Sequence, residues 1–417
     1  MVYDATTAWN HATYVNEGRE PLFLMPPQHT LSYDQITLSQ RLPANPEDVV
    51  KGINSRIQAT TSTTRIGPTS KREITSTPIH VANMYNIASL RLASTLRAHT
   101  AEYNDRYGAE EAAPLVSLPK QLTEYQMGRL IQDVTEIGHT SNIVLTVGSD
   151  EQSPHRMTEV ETRLREAGIE PNDAIRIIHF DNPNLNTPKA FADVTMWRER
   201  YPEAYLIAGN TDNPETALHI AGLGADAVKI GIGPGAMCTT RIKSGIGVPQ
   251  ASAVAAAVNA LRNDDGTKKA HIIADGGVRY PKHWIYAMAL GADDVMFGSI
   301  LGGYKEGFET DADLEEAMYE PEGECVPFVP VYGSASKMAL DKHHEDKDHW
   351  YKTPEGREAG TKLKEESATS LVDDFRGGLR GALTQRGVGN IDGLQKNAQF
   401  LPISGGHVDH SVNIAEL

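Results

Sequence analysis

The chain has 417 residues and a formal net charge of −16, with 39 Lys and Arg against 55 Asp and Glu. That balance leaves no basic stripe to release counterions from a phosphate backbone, which argues against nucleic acid as a partner. Two cysteines make no disulfide framework, no signal-like stretch opens the chain, and no apolar run nears the roughly 20 residues that span a bilayer; the expectation is a soluble, cytoplasmic protein with no membrane partner.

Residues 1–77 are rich in Thr, Ser, Pro and isolated charges and read as an extended arm packing on the body. Short apolar runs then recur: PIHVANM from Pro78, PLVSL from Pro114, NIVLTVG from Asn142, AIRIIHFD from Ala174, AYLIAGN from Ala204, DAVKIGIG from Asp226, AHIIADGG from Ala270 and DDVMFGSI from Asp293. Runs so short and so rich in Val and Ile predict strands buried on both faces, and segments such as NPETALHIAGLGA (Asn213 to Ala225) predict crossover helices between them. Eight such units predict an α/β fold, a (β/α)8 TIM barrel over residues 78–402, with an open doubly wound sheet as the rival.

The strand ends favour the barrel, because they carry the chemically unusual residues: Asp181, Asn210, the Gly233 loop with Cys238, the Asp275-Gly276-Gly277 turn, and Gly298-Ser299. Barrel chemistry gathers at those ends, and phosphate commonly binds after the last two strands. Residues 303–369 lose periodicity and include HHEDKDHWYKTPEGREAGTKLKEE from His343; placed after the eighth strand, they predict an active-site flap. A last helix over Ser370 to Gly387 and the apolar NAQFLPIS from Asn397 close the body, and residues 403–417 read as a tail.

The stretch GIGPGAMCTTRIKSGIGVPQ, Gly231 to Gln250, lacks the third glycine of a dinucleotide fingerprint and has Pro234 where a helix should open. It suits a tight loop that offers backbone groups to an anion or a monovalent cation. A free cysteine is often a buried, inert residue. Cys238, at a strand's catalytic end and followed by Thr239, Thr240 and Arg241, instead reads as a nucleophile, whereas Cys325 reads as incidental. His343, His344 and His349 among Glu345, Asp346 and Asp348 fit no zinc spacing and read as a solvated loop face. Asp275 before two glycines could cap the next helix; with Gly298-Ser299 and Tyr332-Gly333-Ser334 it reads as a carboxylate for vicinal hydroxyls in a ribose-phosphate site.

GIGPGAMCTTRIKSGIGVPQ, IAGNTDNPETA, IIADGGVRYP, DDVMFGSILGG, VYGSASKMA and GGLRGAL, in that order, resemble the IMP dehydrogenase and GMP reductase superfamily over about Pro78 to Ser404. The resemblance implies a purine nucleoside monophosphate (GMP or IMP) as substrate, NADPH or NADH/NAD as cofactor, possible K+ dependence and a homotetramer. It implies that Cys238 attacks purine C2 while Thr240 positions the water or ammonia. Asp275 would hold the ribose hydroxyls and Gly277, Gly298, Ser299 and Tyr332 the phosphate, with Gly276, Gly333 and Ser334 also at the substrate. Glu355 and Gly356 would face the purine, Asp181 and Asn210 the nicotinamide, and the carbonyls of Gly233, Gly235 and Cys238 a monovalent cation.

The flap is short, as in the reductases, and no regulatory domains fit between the second helix and the third strand, so the resemblance implies GMP reductase, with IMP dehydrogenase as the alternative. GVPQ and IIADGGVRYP lean to the dehydrogenase. Lys337 stands where the reductases have a glutamate, Trp350-Tyr351 where the dehydrogenases have Arg-Tyr, Ala236 for a phosphate-binding serine and Tyr85 for an aspartate. These departures keep open a divergent purine substrate or a nucleotide-binding barrel without catalysis; an FMN-dependent barrel is a further alternative.

Overall fold

Each of the eight apolar runs forms a strand, and the eight close into one parallel barrel. The computed structural model describes residues 33–38, 59–333, 336–338 and 356–402. Ahead of the barrel lie β1 (Ile36–Leu38), β2 (Thr63–Ile66) and β3 (Glu73–Ser76). The barrel strands are β4 (Ile79–Val81), β5 (Leu115–Ser117), β6 (Ile143–Val147), β7 (Ile177–Asp181), β8 (Tyr205–Thr211), β9 (Ala227–Ile230), β10 (His271–Asp275) and β11 (Asp294–Phe297). They pair in sequence order, and β11 returns to β4. After them come β12 (Phe328–Tyr332), β13 (Glu358–Lys362) and β14 (Phe400–Pro402).

Because side chains alternate along a strand, each strand sends one set outward to the helices and one into the bore. Ile178, Phe180, Val228, Ile230, Ile272, Ala274, Val295 and Phe297 belong to the outer core under the helices. Ala82, Leu115, Val144, Ile177, Tyr205, Ile207, Ala227, Ile273 and Met296 fill the bore. The helices stop and start on local signals: Glu124–Ile137 opens on a Thr123 and Gln126 capping box and ends at left-handed Gly138. Ala368–Arg386 is capped by Ser367 and buries Val372, Phe375, Leu379 and Leu383, with Phe375 against Phe297 and Trp284.

The described parts of the arm form regular structure. β2 and β3 form an antiparallel hairpin, and β1 pairs antiparallel with β14, so segments from both ends of the described chain meet. Arg65 of the hairpin donates to the Asp293 carbonyl at 2.6 Å and to Ser76 Oγ at 2.7 Å, and lies 3.4 Å from Asp294. Residues 303–369 are likewise not wholly a polar insertion: Glu306 and Phe308 are buried, and β12 and β13 pair from Phe328↔Lys362 to Tyr332↔Glu358. The His343, His344 and His349 cluster and the 403–417 tail lie outside the described residues.

Polar groups also enter the bore. His80 Nε2 lies 2.7 Å from Ser117 Oγ, which lies 3.1 Å from His179 Nδ1. Burial, with the nearby cations Lys229 and Arg65, lowers His80 to about 3. Burial pushes the Asp294 carboxyl up to about 7, although Arg65 pulls the other way. A carboxyl that binds its proton more tightly in the folded chain favours folding while protonated, so this contribution is complete below about pH 4 and is lost as pH rises through the folded value. The thermal midpoint of the wild type should therefore fall relative to Asp294→Asn between about pH 4 and 7; parallel curves for the two proteins would contradict a protonated Asp294.

Candidate active site

At the carboxyl ends of the strands lies a cavity of about 230 Å³. Its deepest electrostatic feature is Lys229 of β9, whose side chain is 3% exposed and whose Nζ sits 3.0 Å from Asp181 and 3.1 Å from Asp275. β9 lies between β8 and β10 in the barrel, so the cation is delivered from the centre of the group it holds together. Gly209 on β8 makes this possible: a Cβ there would lie 2.2 Å from Lys229 Cβ.

Both carboxylates are further tied. Asp181 Oδ2 accepts from Asn83 at 3.1 Å and meets Lys120 Nζ at 3.1 Å. Asn210 donates to Asp275 Oδ2 and to the Gly231 carbonyl, each at 2.8 Å. Burial alone would raise the Asp181 carboxyl, but Lys229 and Lys120 hold it well below the usual range. Burial opposes the charge on Lys229, and Asp181 and Asp275 more than offset it, so the ammonium persists.

The cysteine loop is built by Arg241. Its Nε donates to the Ile232 carbonyl at 3.0 Å and its guanidinium reaches the Val248 carbonyl, closing residues 232–248 into a ring. Gly233 and Gly247 have left-handed φ values of +79° and +141°, and a Cβ at either would lie 2.4 to 2.6 Å from Arg241 atoms. These glycines thus make room for a side chain. Within the ring the Cys238 N–H donates to the Gly235 carbonyl at 3.0 Å, and Cys238 Sγ lies 3.2 Å from Thr240 Oγ1. A backbone bridge joins Cys238 to Gly356, and the Arg357 N–H donates to the Met237 carbonyl at 2.7 Å.

The cavity brings together Cys238, Thr240, Asp181, Asn210, Gly233, Gly235, Asp275, Gly276, Gly277, Gly298, Ser299, Gly333 and Gly356. Tyr332 is placed otherwise: it is buried, stacked on Tyr85 at 5.2 Å, and is not among the lining residues. Lys337 is exposed and also stands outside the lining. Ser334, Tyr351 and Glu355 lie outside the described residues. Cys325 is exposed and has no place at the cavity. No group of three His, Cys, Asp or Glu side chains that could hold a metal occurs among the described residues. None of their helices is long and apolar enough to cross a membrane.

Sequence reasoning passed over Lys229, Lys120 and Asn83, and read Arg241 only as a neighbour of Cys238. The first was signalled by a lysine in the middle of the mostly apolar run DAVKIGIG.

The model of the IMP dehydrogenase / GMP reductase domain matches residues 145–412. The chain belongs to this family. It is 34% identical to inosine-5'-monophosphate dehydrogenase of Aquifex aeolicus over 62% of this chain and 49% of the relative. It is 30% identical to the dehydrogenase of Chlorobaculum parvum, over 75% and 65% respectively. With GMP reductase of Yersinia enterocolitica it shares 29% identity over 78% of this chain and 84% of the relative, and with human GMP reductase 1, 26% over 81% and 87%. The chain thus spans about half to two thirds of the length of these dehydrogenases.

Removing one partner of a buried ion pair leaves an uncompensated charge, at a cost of about 3 to 5 kcal/mol. Lys229→Met should lower the unfolding free energy by about that much in urea titrations. A loss under about 1 kcal/mol would mean that Asn83, Lys120 and Asn210 suffice to hold the two carboxylates.

Proposed function

We propose that the cavity binds a purine nucleoside monophosphate and that Cys238 is the nucleophile at purine C2, the chain acting as a GMP reductase: GMP and NADPH to IMP, ammonia and NADP. The observation that carries the choice is architectural. Only residues 138–142 separate the helix Glu124–Ile137 from β6, so no regulatory domain is inserted there. The match extends over 84% and 87% of two reductases against 49% and 65% of two dehydrogenases.

Asp275, at the cavity wall, suits the vicinal hydroxyls of a ribose, and the turns at Gly276-Gly277 and Gly298-Ser299 suit its phosphate. Addition of Cys238 Sγ to C2 forms a carbon–sulfur bond and expels the 2-amino group. The proton lost from the thiol equals the one the departing ammonia requires, and Thr240 Oγ1, 3.2 Å from the sulfur, is placed to carry it. When bound, a nicotinamide cofactor supplies the hydride that reaches C2. The carbon–sulfur pair then returns to Cys238, which takes a proton from water.

Asp181 and Asn210, on the neighbouring strands β7 and β8, are the proposed nicotinamide residues. Asp181 still offers one Oδ1 lone pair beside its bond to Lys229. The carbonyls of Gly233, Gly235 and Cys238 are the proposed K+ ligands, the Gly235 carbonyl doing so alongside its bond to Cys238. A cytoplasmic homotetramer completes the reading.

IMP dehydrogenase, taking IMP, NAD and water to XMP and NADH, is the second reading, favoured by the higher identity to dehydrogenases over a shorter stretch. Nicotinamide absorbance separates the two: it should fall with GMP and NADPH while ammonia appears, and stay constant with IMP, NAD and K+. A rise in the latter mixture would make the chain a dehydrogenase. Cys238→Ala should abolish turnover and spare nucleotide binding; retained turnover would overturn the covalent mechanism.

A further inference from the structure

The arm reaches the phosphate side of the cavity through one buried imidazole. His283 is fully buried in the first turn of the helix Pro281–Ala289. Its Nδ1 accepts the Arg279 backbone N–H at 3.1 Å, so its Nε2 carries the proton and donates to Asp34 Oδ1 at 2.9 Å. Arg279 ends the run Asp275 to Arg279, every residue of which lines the cavity. Asp34 sits in the single turn Tyr33–Gln35, which leads directly into β1 and its pairing with β14. Tyr33 stacks on His283 with ring centroids 6.0 Å apart, and its ring lies 3.6 Å from where a Cβ of Gly277 would stand.

The histidine thus has one nitrogen on the cavity turn and the other on a carboxylate that comes from far away in sequence. A backbone N–H that is held by a neutral imidazole cannot swing, and a neutral imidazole that faces a carboxylate cannot change tautomer without losing that bond. The charged groups around His283 agree with this. Burial lowers its affinity for a second proton, Lys282 and Arg279 act in the same direction, and Asp34 opposes them without prevailing. The ring accordingly remains neutral, with Nδ1 free to accept.

We propose that Asp34 and His283 are positioning residues for the phosphate of the nucleotide: the arm's carboxylate fixes the imidazole tautomer, and the imidazole fixes the Gly276-Gly277 turn through the Arg279 N–H. This gives the N-terminal arm a part in substrate recognition, and it rests on the nucleotide reading of the cavity given above. The contact acts on the phosphate turn, whose Gly276 stands close to Pro234 and Gly235 of the cysteine loop, while the purine side at Cys238 and Gly356 has its own backbone bridge.

The test is calorimetric titration of the full chain with GMP and, separately, with guanosine, which lacks the phosphate. Asp34→Ala, at a side chain that is 60% exposed and so tolerant of truncation, should weaken GMP about tenfold, the size of one lost charge-assisted hydrogen bond, and leave guanosine unchanged. His283→Gln, which can still reach Asp34 but offers nothing to Arg279, should do the same. His283→Asn, whose amide oxygen stands near the Nδ1 position, should recover most of the GMP affinity. Equal losses for GMP and guanosine would reduce the pair to a general support of the fold, and unchanged GMP affinity in Asp34→Ala and His283→Gln would overturn the proposal. If the wild type binds neither GMP nor IMP, the nucleotide reading itself falls, and this role falls with it.

Discussion

A single ammonium in the bore of a barrel, Lys229 between Asp181 and Asp275, is the constraint on which the rest of the site depends. A cation so deeply buried is tolerable only if opposite charge and hydrogen bonds surround it, and here they do. The requirement propagates outward. β8 must have glycine at Gly209 so that the lysine stem can pass, Asn210 must brace Asp275, and Asn83 and Lys120 must complete Asp181. The outcome is a pair of carboxylates, at the ends of β7 and β10, held at fixed positions on the cavity wall.

The Cys238 sulfur is positioned by different means. Arg241 gathers the ends of the 232–248 ring with two carbonyl contacts, and Gly356 is bridged to Cys238 from a segment more than a hundred residues later in the chain. The thiol therefore sits between a loop fixed from inside and a strand-like segment laid against it. Such double support lets a nucleophile hold its direction while the cavity remains open to a substrate. The amino-terminal hairpin serves the opposite mouth, where Arg65 donates to the Asp293 carbonyl and meets Asp294 at the start of β11.

How much of this was legible in the sequence follows from where side chains point. The strands and their catalytic ends could be read because a short Val- and Ile-rich run that stops at Asp, Asn or Gly fits a strand buried on both faces and little else. The inward polar residues could not: His80, Ser117, His179 and Lys229 interrupt apolar runs, and only the closed barrel shows that they share one interior. The glycines of the cysteine loop suggested a tight turn offering backbone groups to an anion or a monovalent cation; that two of them also make room for Arg241 is a contact across the loop that no spacing rule encodes. The stacking of Tyr332, expected at the phosphate, on Tyr85 could not be read either, because the two rings are far apart in sequence. The arm's short strand β1 was missed since its partner, β14, is separated by almost the whole chain.

Whether this cavity presents Cys238 to the C2 carbon of a purine nucleotide held by Asp275 can be settled by catching the adduct. The protein is quenched in acid during turnover of GMP with NADPH, and its intact mass is measured before peptide mapping. The expected result is a mass increase of one purine nucleotide less ammonia, located on the peptide that contains Cys238 and absent when the nucleotide is omitted. Steady turnover with an unmodified Cys238 peptide under the same quench would contradict a covalent route through this sulfur.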